Sequence, residues 1–332
     1  MKHLRVVWVL VALAVFAAAC DPDDGEERAR WETVLSDLPA ALLGVWGTSA
    51  SDVWTVGADA GDGPVILHFD GESWTRKASG QRGTLWWVWG NATRLWIAGE
   101  AGLVLRYDRS ADRFTRIEGV PANVTLYGIF ELPSGEVWTV GGNSSGGRIF
   151  KLSGSTFAEE TVPTEAAEAG RFFKVWGRSA TDLWVVGVGN KMLYRDGSGW
   201  KVFDTPRGGR LTTVHGNNSQ VVAVGGFTEG LVIDALSSGP VDASPSGVSP
   251  LNGVWVQSDG TVVAVGAAGT VIERRGSVWR TPNDLPGSLD DYHAVYVDPA
   301  GGVWAVGGFL LVEPQRRGML LHYGLPISGT IR

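Results

Sequence analysis

Beyond its first twenty residues the chain alternates short apolar runs with polar punctuation, and one arrangement of the two keeps returning. Its first instance is Val45-Trp46-Gly47-Thr48-Ser49-Ala50-Ser51-Asp52-Val53-Trp54-Thr55-Val56-Gly57. Residues 42–47 and 53–57 read as two strands, joined by a turn whose Ser and Asp side chains can bond nearby backbone groups. A third strand is expected at 64–70 and a fourth at 74–77, after a Gly71-Glu72 turn. Outside the N-terminal run no long segment carries the 3.6-residue period of a helix, so the chain reads as all-β.

A Val-Gly or Ala-Gly pair closes each copy, at Gly57, Gly99, Gly141, Gly187, Gly225, Gly266 and Gly307. The successive spacings are 42, 42, 46, 38, 41 and 41 residues. A period near 40 built from short β units is the signature of a propeller, in which each blade is a four-stranded sheet. Tryptophan recurs in phase: Trp46, Trp89, Trp176 and Trp255 in the first strand, Trp54, Trp96, Trp138, Trp184 and Trp304 in the second, Trp74, Trp200 and Trp279 in the fourth. Phased rings of this kind are expected to bury area between neighbouring sheets rather than to stack on a ligand.

The last copy stops at Gly324 without its fourth strand, while Arg30-Trp31-Glu32-Thr33-Val34 matches Ser73-Trp74-Thr75-Arg76-Lys77. The fold predicted is therefore a seven-bladed β-propeller over residues 31–324, its N-terminal strand closing the last blade and leaving no open edge there. Residues 325–332 are left as a C-terminal tail.

The N-terminus is different in kind. Lys2 and Arg5 precede an apolar run from Val6 to Phe16, and Ala17-Ala18-Ala19 are small residues of the sort found at a cleavage site. The run is shorter than the ~20 residues a spanning helix needs, and it stops at Cys20-Asp21. Small residues ending in cysteine resemble the lipobox of bacterial lipoproteins. That resemblance implies a signal peptide over residues 1–19, lipid attachment at Cys20, and a membrane as the first partner. Cys20 is the only cysteine, so an unmodified thiol would need its own explanation in an exported chain. Residues 20–30 are charged and have no apolar face, as a solvated tether would.

Removal of Lys2 and Arg5 leaves 26 basic against 35 acidic residues, a net charge of −9. Such a surface argues against nucleic acid, whose phosphates need a basic face. With Cys20 modified, neither a disulfide nor a thiolate metal site is available, and no cofactor is expected.

Leu251-Asn252-Gly253-Val254-Trp255, Val262-Val263-Ala264-Val265-Gly266-Ala267-Ala268-Gly269-Thr270 and Trp279 resemble the repeats of bacterial BNR-like and photosystem-assembly-factor-like propellers. Asp70-Gly71-Glu72-Ser73-Trp74 and Asp196-Gly197-Ser198-Gly199-Trp200 fit the second half of such a unit. Gly141-Gly142 and Gly307-Gly308 look more like kelch repeats. All of these are structural positions, so the resemblance implies a fold and hardly an activity. The sialidase Asp-box finds only the fragment Ser258-Asp259-Gly260.

Candidate chemistry is sparse. Gly142-Asn143-Ser144-Ser145-Gly146 fits G-x-S-x-G, but between two strands rather than at the strand-to-helix turn that a nucleophile elbow needs. His68 and His322 share a place that Arg106, Lys151, Tyr194 and Glu273 take in other copies, which suggests a solvated strand face. His215 takes the first-strand Trp position and His293 lies beside the first strand of the last blade; either could face the channel, and a packed or hydrated ring is expected over a ligand. Asp52 and Asp182 are expected to be turn residues. The connections between second and third strands and between blades share one face and vary most, so binding is expected there. Asp290, Asp291, Glu313, Arg316 and Arg317 are the candidate partner-binding residues, as a mixed-charge patch on the last blade.

The expectation is thus a lipid-anchored, monomeric, non-catalytic scaffold at the bacterial envelope, offering its loop-rich face to a protein or glycan. A carbohydrate-active enzyme or lectin is the alternative. Three or more ionisable residues converging at the channel mouth would mark an enzyme, exposed rings a glycan site, and a smooth face a protein site.

Overall fold

A computed structural model describes residues 28–332. The expected signal peptide, Cys20 and most of the expected tether lie outside the described residues.

Seven four-stranded antiparallel sheets follow one another along the chain. Blade 1 spans 42–76, blade 2 85–116, blade 3 125–160, blade 4 172–204, blade 5 211–242, blade 6 251–280 and blade 7 291–324. Inner strands of successive blades pack side by side, and those of blades 1 and 7 meet in the same way, so the sheets close into a ring. The chain is a seven-bladed β-propeller. Among the described residues the one helix is the single turn and a half Thr164–Ala169, between blades 3 and 4, with Ala166 buried.

Blade 7 takes its outer strand from the N-terminus. Arg30–Leu38 runs antiparallel to Arg316–Gly324, with Trp31 opposite Tyr323 and Glu32 opposite His322. The first and last segments of the propeller are thereby hydrogen-bonded to each other. Residues 325–332 do not hang free, as a tail would. The outer strand of blade 1 is only Trp74–Arg76, and it leaves backbone groups unpaired along its edge. The C-terminus covers that edge: Trp74 N–H donates to Thr330 O at 2.9 Å, Arg332 N–H to Trp74 O at 2.8 Å, and the Trp74 indole to Ser328 O at 3.1 Å. Covering a short edge removes a pairing site for other chains.

Between the sheets sit the tryptophans of the second strands. Trp54, Trp138, Trp184 and Trp304 are fully buried. The position shared by His68 and His322 is solvated only in part: Arg106 is exposed there, but Tyr194 and His322 are buried, because the position lies directly across the ladder from these rings. Trp54 faces His68, Trp96 Arg106, Trp138 Lys151, Trp184 Tyr194 and Trp304 His322. His68 stacks on Trp54 at 4.1 Å, Tyr194 on Trp184 at 4.4 Å, and Lys151 Nζ stands 5.1 Å over Trp138. His, Tyr and Lys are interchangeable there because each can cover an indole face. Blade 6, whose second strand has Val263 instead, carries Glu273.

Candidate functional site

Every inner strand opens with the same irregularity. Its ladder slips between Leu42 and Gly44, Leu85 and Trp87, Leu126 and Gly128, Phe172 and Lys174, Leu211 and Thr213, Leu251 and Gly253, and Tyr292 and Ala294. A bulge of this kind bends the strand and re-aims a side chain. The closing glycine of each repeat makes room for it. A Cβ at Gly57 would collide with the carbonyl oxygen of Ala41, and one at Gly141 with that of Thr125. The Ala41 carbonyl instead passes over bare glycine and accepts the Ala58 N–H at 3.0 Å.

The residues left over by the seven bulges are Leu43, Trp86, Tyr127, Phe173, Thr212, Asn252 and His293. All but Leu43 surround one cavity of about 290 Å³, together with Lys174, Arg210, Asp291, Leu310, Leu311 and Gln315. Walls supplied by six blades place this cavity on the propeller axis, at the end where the long connections lie.

It is blind. Further along the axis Trp46, Trp89, Phe130, Trp176, His215, Trp255 and Tyr296, one from each blade, touch in sequence with ring centroids 4.1 to 6.2 Å apart. Trp89 also reaches across to His215 and Trp255, 6.1 Å from each. The first-strand tryptophans are therefore an axial plug and not simply filling between sheets. His215 belongs to it as a packed residue: its Nδ1 accepts the Val256 N–H at 2.9 Å, and burial pushes the ring down to about 3, so it is neutral.

Around the funnel, Trp86 and Tyr127 meet edge to face at 5.3 Å and Tyr127 and Phe173 at 5.2 Å, making a continuous aromatic wall. Opposite them, Asn252 donates to Tyr292 O at 2.9 Å and Thr212 to Leu251 O at 2.8 Å. Lys174 is 5% exposed. Its Nζ donates to Tyr127 O at 2.7 Å and lies 4.2 Å from the Trp87 ring centre, and no carboxylate among the described residues pairs with it. Burial pushes its amine down to about 7. Lys174 reaches that place because Gly128 lets blades 3 and 4 close: a Cβ there would press on Phe173 O and the Lys174 backbone.

His293 donates from Nδ1 to the Leu43 carbonyl, which leaves Nε2 as an acceptor. Burial, and after it the Lys174 charge, pushes this ring down to about 3. The Arg210 guanidinium lies 5.5 Å over Phe227, its Nε donating to Gly226 O at 3.3 Å. Burial lowers its pKa, against the pull of Asp291. Asp291 itself accepts the Ala268 N–H at 3.0 Å.

The five candidate residues do not form one patch. Asp290 and Arg317 are ion-paired, with Arg317 5.2 Å over Phe309. Asp291 faces the funnel, whereas Glu313 lines a separate depression with Asp59, Arg82 and Glu100. Arg316 is exposed at the start of the third strand. Trp86, Tyr127, Phe173, Lys174 and Arg210 are not among the sequence candidates, and His293 is one only as a packed or hydrated ring. The signal available was a column that varies (Leu, Trp, Tyr, Phe, Thr, Asn, His) between columns that hardly do.

On the opposite face the ionisable groups serve the scaffold. Asp52 accepts from Trp54 Nε1 at 3.0 Å and from His68, and joins blade 1 to blade 2 through Arg109 at 2.9 Å. Burial alone would raise this carboxyl, but the hydrogen bonds from His68, Arg109 and Thr48 hold it well below the usual carboxylate range. Glu131 of blade 3 takes Trp96 Nε1 at 2.9 Å and the Arg94 guanidinium of blade 2. Asp52 is thus more than a turn residue; it is an inter-blade tie.

In number, the mark set for an enzyme is met, which counts against the non-catalytic expectation: Lys174, Arg210, Asp291 and His293 converge at the mouth. In kind it is not a glycosidase pair, which requires two carboxyl groups, since Asp291 is the one carboxylate lining the cavity. Among the described residues no group of His, Cys, Asp or Glu is placed to hold a metal ion.

No family model and no curated protein matches the chain. Solved structures do. A catalytically inactive virginiamycin B lyase from Staphylococcus aureus, with quinupristin, aligns over 88% of this chain and 99% of its own at 12% identity and a TM-score of 0.68. The photosystem assembly factor YCF48 from Cyanidioschyzon merolae aligns over 88% and 98% at 17% identity and 0.63. The WD40 propeller domain of Doa1 aligns over 91% and 99% at 10% identity and 0.68. At such identities the likeness is one of fold.

Proposed function

We propose that the protein is a lipid-anchored, non-catalytic binding module of the bacterial envelope, held by Cys20 and taking a protein or glycan partner on its loop-rich face. The observation that carries this reading is the contrast between the two faces. On one, Asp52 and Glu131 are engaged with Arg109 and Arg94 in ties between blades. On the other, a blind funnel opens among unpaired apolar side chains: Leu311 (81% exposed) at its wall, Phe227 (63%) beside Arg210, and Leu289 (93%) two residues before Asp291. Apolar groups gathered around a pocket mark an interaction surface. A glycan partner is favoured by the aromatic wall of Trp86, Tyr127 and Phe173, and it remains the second reading, as lectin or carbohydrate-active enzyme.

Photo-crosslinking residues placed at Phe227 and Leu311 in living cells, with Ser51 on the opposite face as control, test the face. Adducts at both loop-side positions and none at 51 are expected; adducts only at 51 refute it. Labelling with an alkyne fatty acid tests the anchor, with Cys20→Ser expected to lose both label and membrane sedimentation. Retention of a polysaccharide that disappears in Trp86→Ala would move the assignment to a glycan.

A further inference from the structure

We propose that the axial funnel is a binding site for a small carboxylic acid with a flat apolar body, its carboxylate held by Lys174 and its body lying against Trp86, Tyr127 and Phe173. This rests on the reading of the loop-rich face as the binding face and names the chemistry of its deepest part.

A buried ammonium ordinarily has a carboxylate beside it, because an unpaired charge is expensive to remove from water. Lys174 has none among the described residues, and its single hydrogen bond to Tyr127 O leaves two of its three N–H donors unused. Lys174 also lines the cavity, so those donors have a place in which to meet a ligand. The other cation of the site, Arg210, at least feels the attraction of Asp291, whereas no acid offsets the burial of Lys174.

The size and the walls select the rest of the ligand. About 290 Å³ is at the lower end of the ~300–1,000 Å³ of small-molecule sites, which suits one fused ring system with a short side chain. Two edge-to-face ring contacts fix the aromatic wall in place, and such walls accept a planar body by stacking or edge contact. The aromatic plug beneath stops the ligand from passing through. Leu310 and Leu311 stand at the entrance, where they can cover its apolar end.

The probes are indole-3-acetate and indole-3-acetamide, of the same shape and differing in charge, titrated calorimetrically into the full-length protein in detergent. The acid is expected to bind at least about tenfold more tightly than the amide, the worth of one charge-assisted hydrogen bond. In Lys174→Met the acid should fall to the level of the amide while the amide is unchanged. The wild-type comparison needs no variant to fold. Equal affinities of acid and amide, or no binding of either at millimolar concentration, overturn the proposal. Crosslinks confined to Ser51 alongside tight acid binding would instead sink the partner-face reading and leave the carboxylate site standing.

Discussion

Replacing Lys174 by Met should stabilise the protein, and by an amount that depends on pH in a way set by one group. In the unfolded chain the amine titrates at its ordinary 10.5, and in the folded protein burial brings it to about 7. Between those values the unfolded chain binds more protons than the folded one, so this residue's contribution to stability rises with pH by ~1.4 kcal/mol per unit. The burden is near its full size at about pH 7, where the gap amounts to about 5 kcal/mol, and shrinks to about 1 kcal/mol by about pH 9.5. Methionine keeps the length and apolar stem of lysine. It gives up the hydrogen bond to Tyr127 O and the contact of the ammonium with Trp87, together about 1–3 kcal/mol. The variant is therefore expected to gain about 2–4 kcal/mol at about pH 7 and to be neutral or slightly weaker at about pH 9.5. Urea denaturation of both proteins across this range measures it, and subtracting the curves cancels every titrating group they share. A difference that stays flat with pH would mean that the amine is charged and compensated in the folded state, and the case for an unmatched cation at the funnel would fall with it.

Three further outcomes follow from the ring. Deletion of residues 30–38 removes the outer strand of blade 7 and its ladder to Arg316–Gly324, so the unfolding midpoint should drop steeply; a variant melting with its parent would refute closure by the N-terminal strand. Truncation after Gly324 exposes the edge at Trp74 and forfeits three hydrogen bonds to that residue, with an expected loss of about 2–4 kcal/mol by the same denaturation assay. Asp52→Ala leaves Arg109 half-buried without its carboxylate, for which about 3–5 kcal/mol is expected. Because the Asp52 carboxyl is held below its unfolded value of 3.8, its contribution is complete above that pH and is lost as pH falls further; acid titration of the two proteins should converge there.

The repeat made the architecture legible because its markers are backbone requirements. Gly57 and its six counterparts are where a Cβ would strike a carbonyl, and the period of those glycines is the period of the blades. Trp31 could be matched to Trp74 for the same reason, as a fixed position in a fixed unit. The funnel was not legible, and the cause is also physical. A bulge residue makes no regular ladder contact, so the fold places no demand on its identity, and Trp86, Tyr127, Phe173, Thr212, Asn252 and His293 share nothing that a pattern search would collect. Lys174 was hidden differently: beside Phe173, at the start of a strand, it reads as a solvent-facing lysine, and only the approach of blade 3 across Gly128 shows that it is enclosed. Asp290 and Arg317 come together as an ion pair, but charge alone does not distinguish them from Glu313, which lines a separate depression.

The axis divides the work between two layers of the same seven strands. In the plug, each residue touches its neighbours in adjoining blades, and a smaller side chain at Trp89 would open a void reaching blades 1, 3, 5 and 6 at once. In the bulge layer, a few residues nearer the loop-rich face, six of the seven side chains line the funnel and touch neighbours in adjoining blades, so a change there alters what the funnel can hold more than it disturbs the ring. That separation lets one rigid scaffold carry an unusual residue such as Lys174. The instability of a buried, unmatched charge is confined to a layer that the ring contacts do not depend on, and the binding of an anion is what would relieve it.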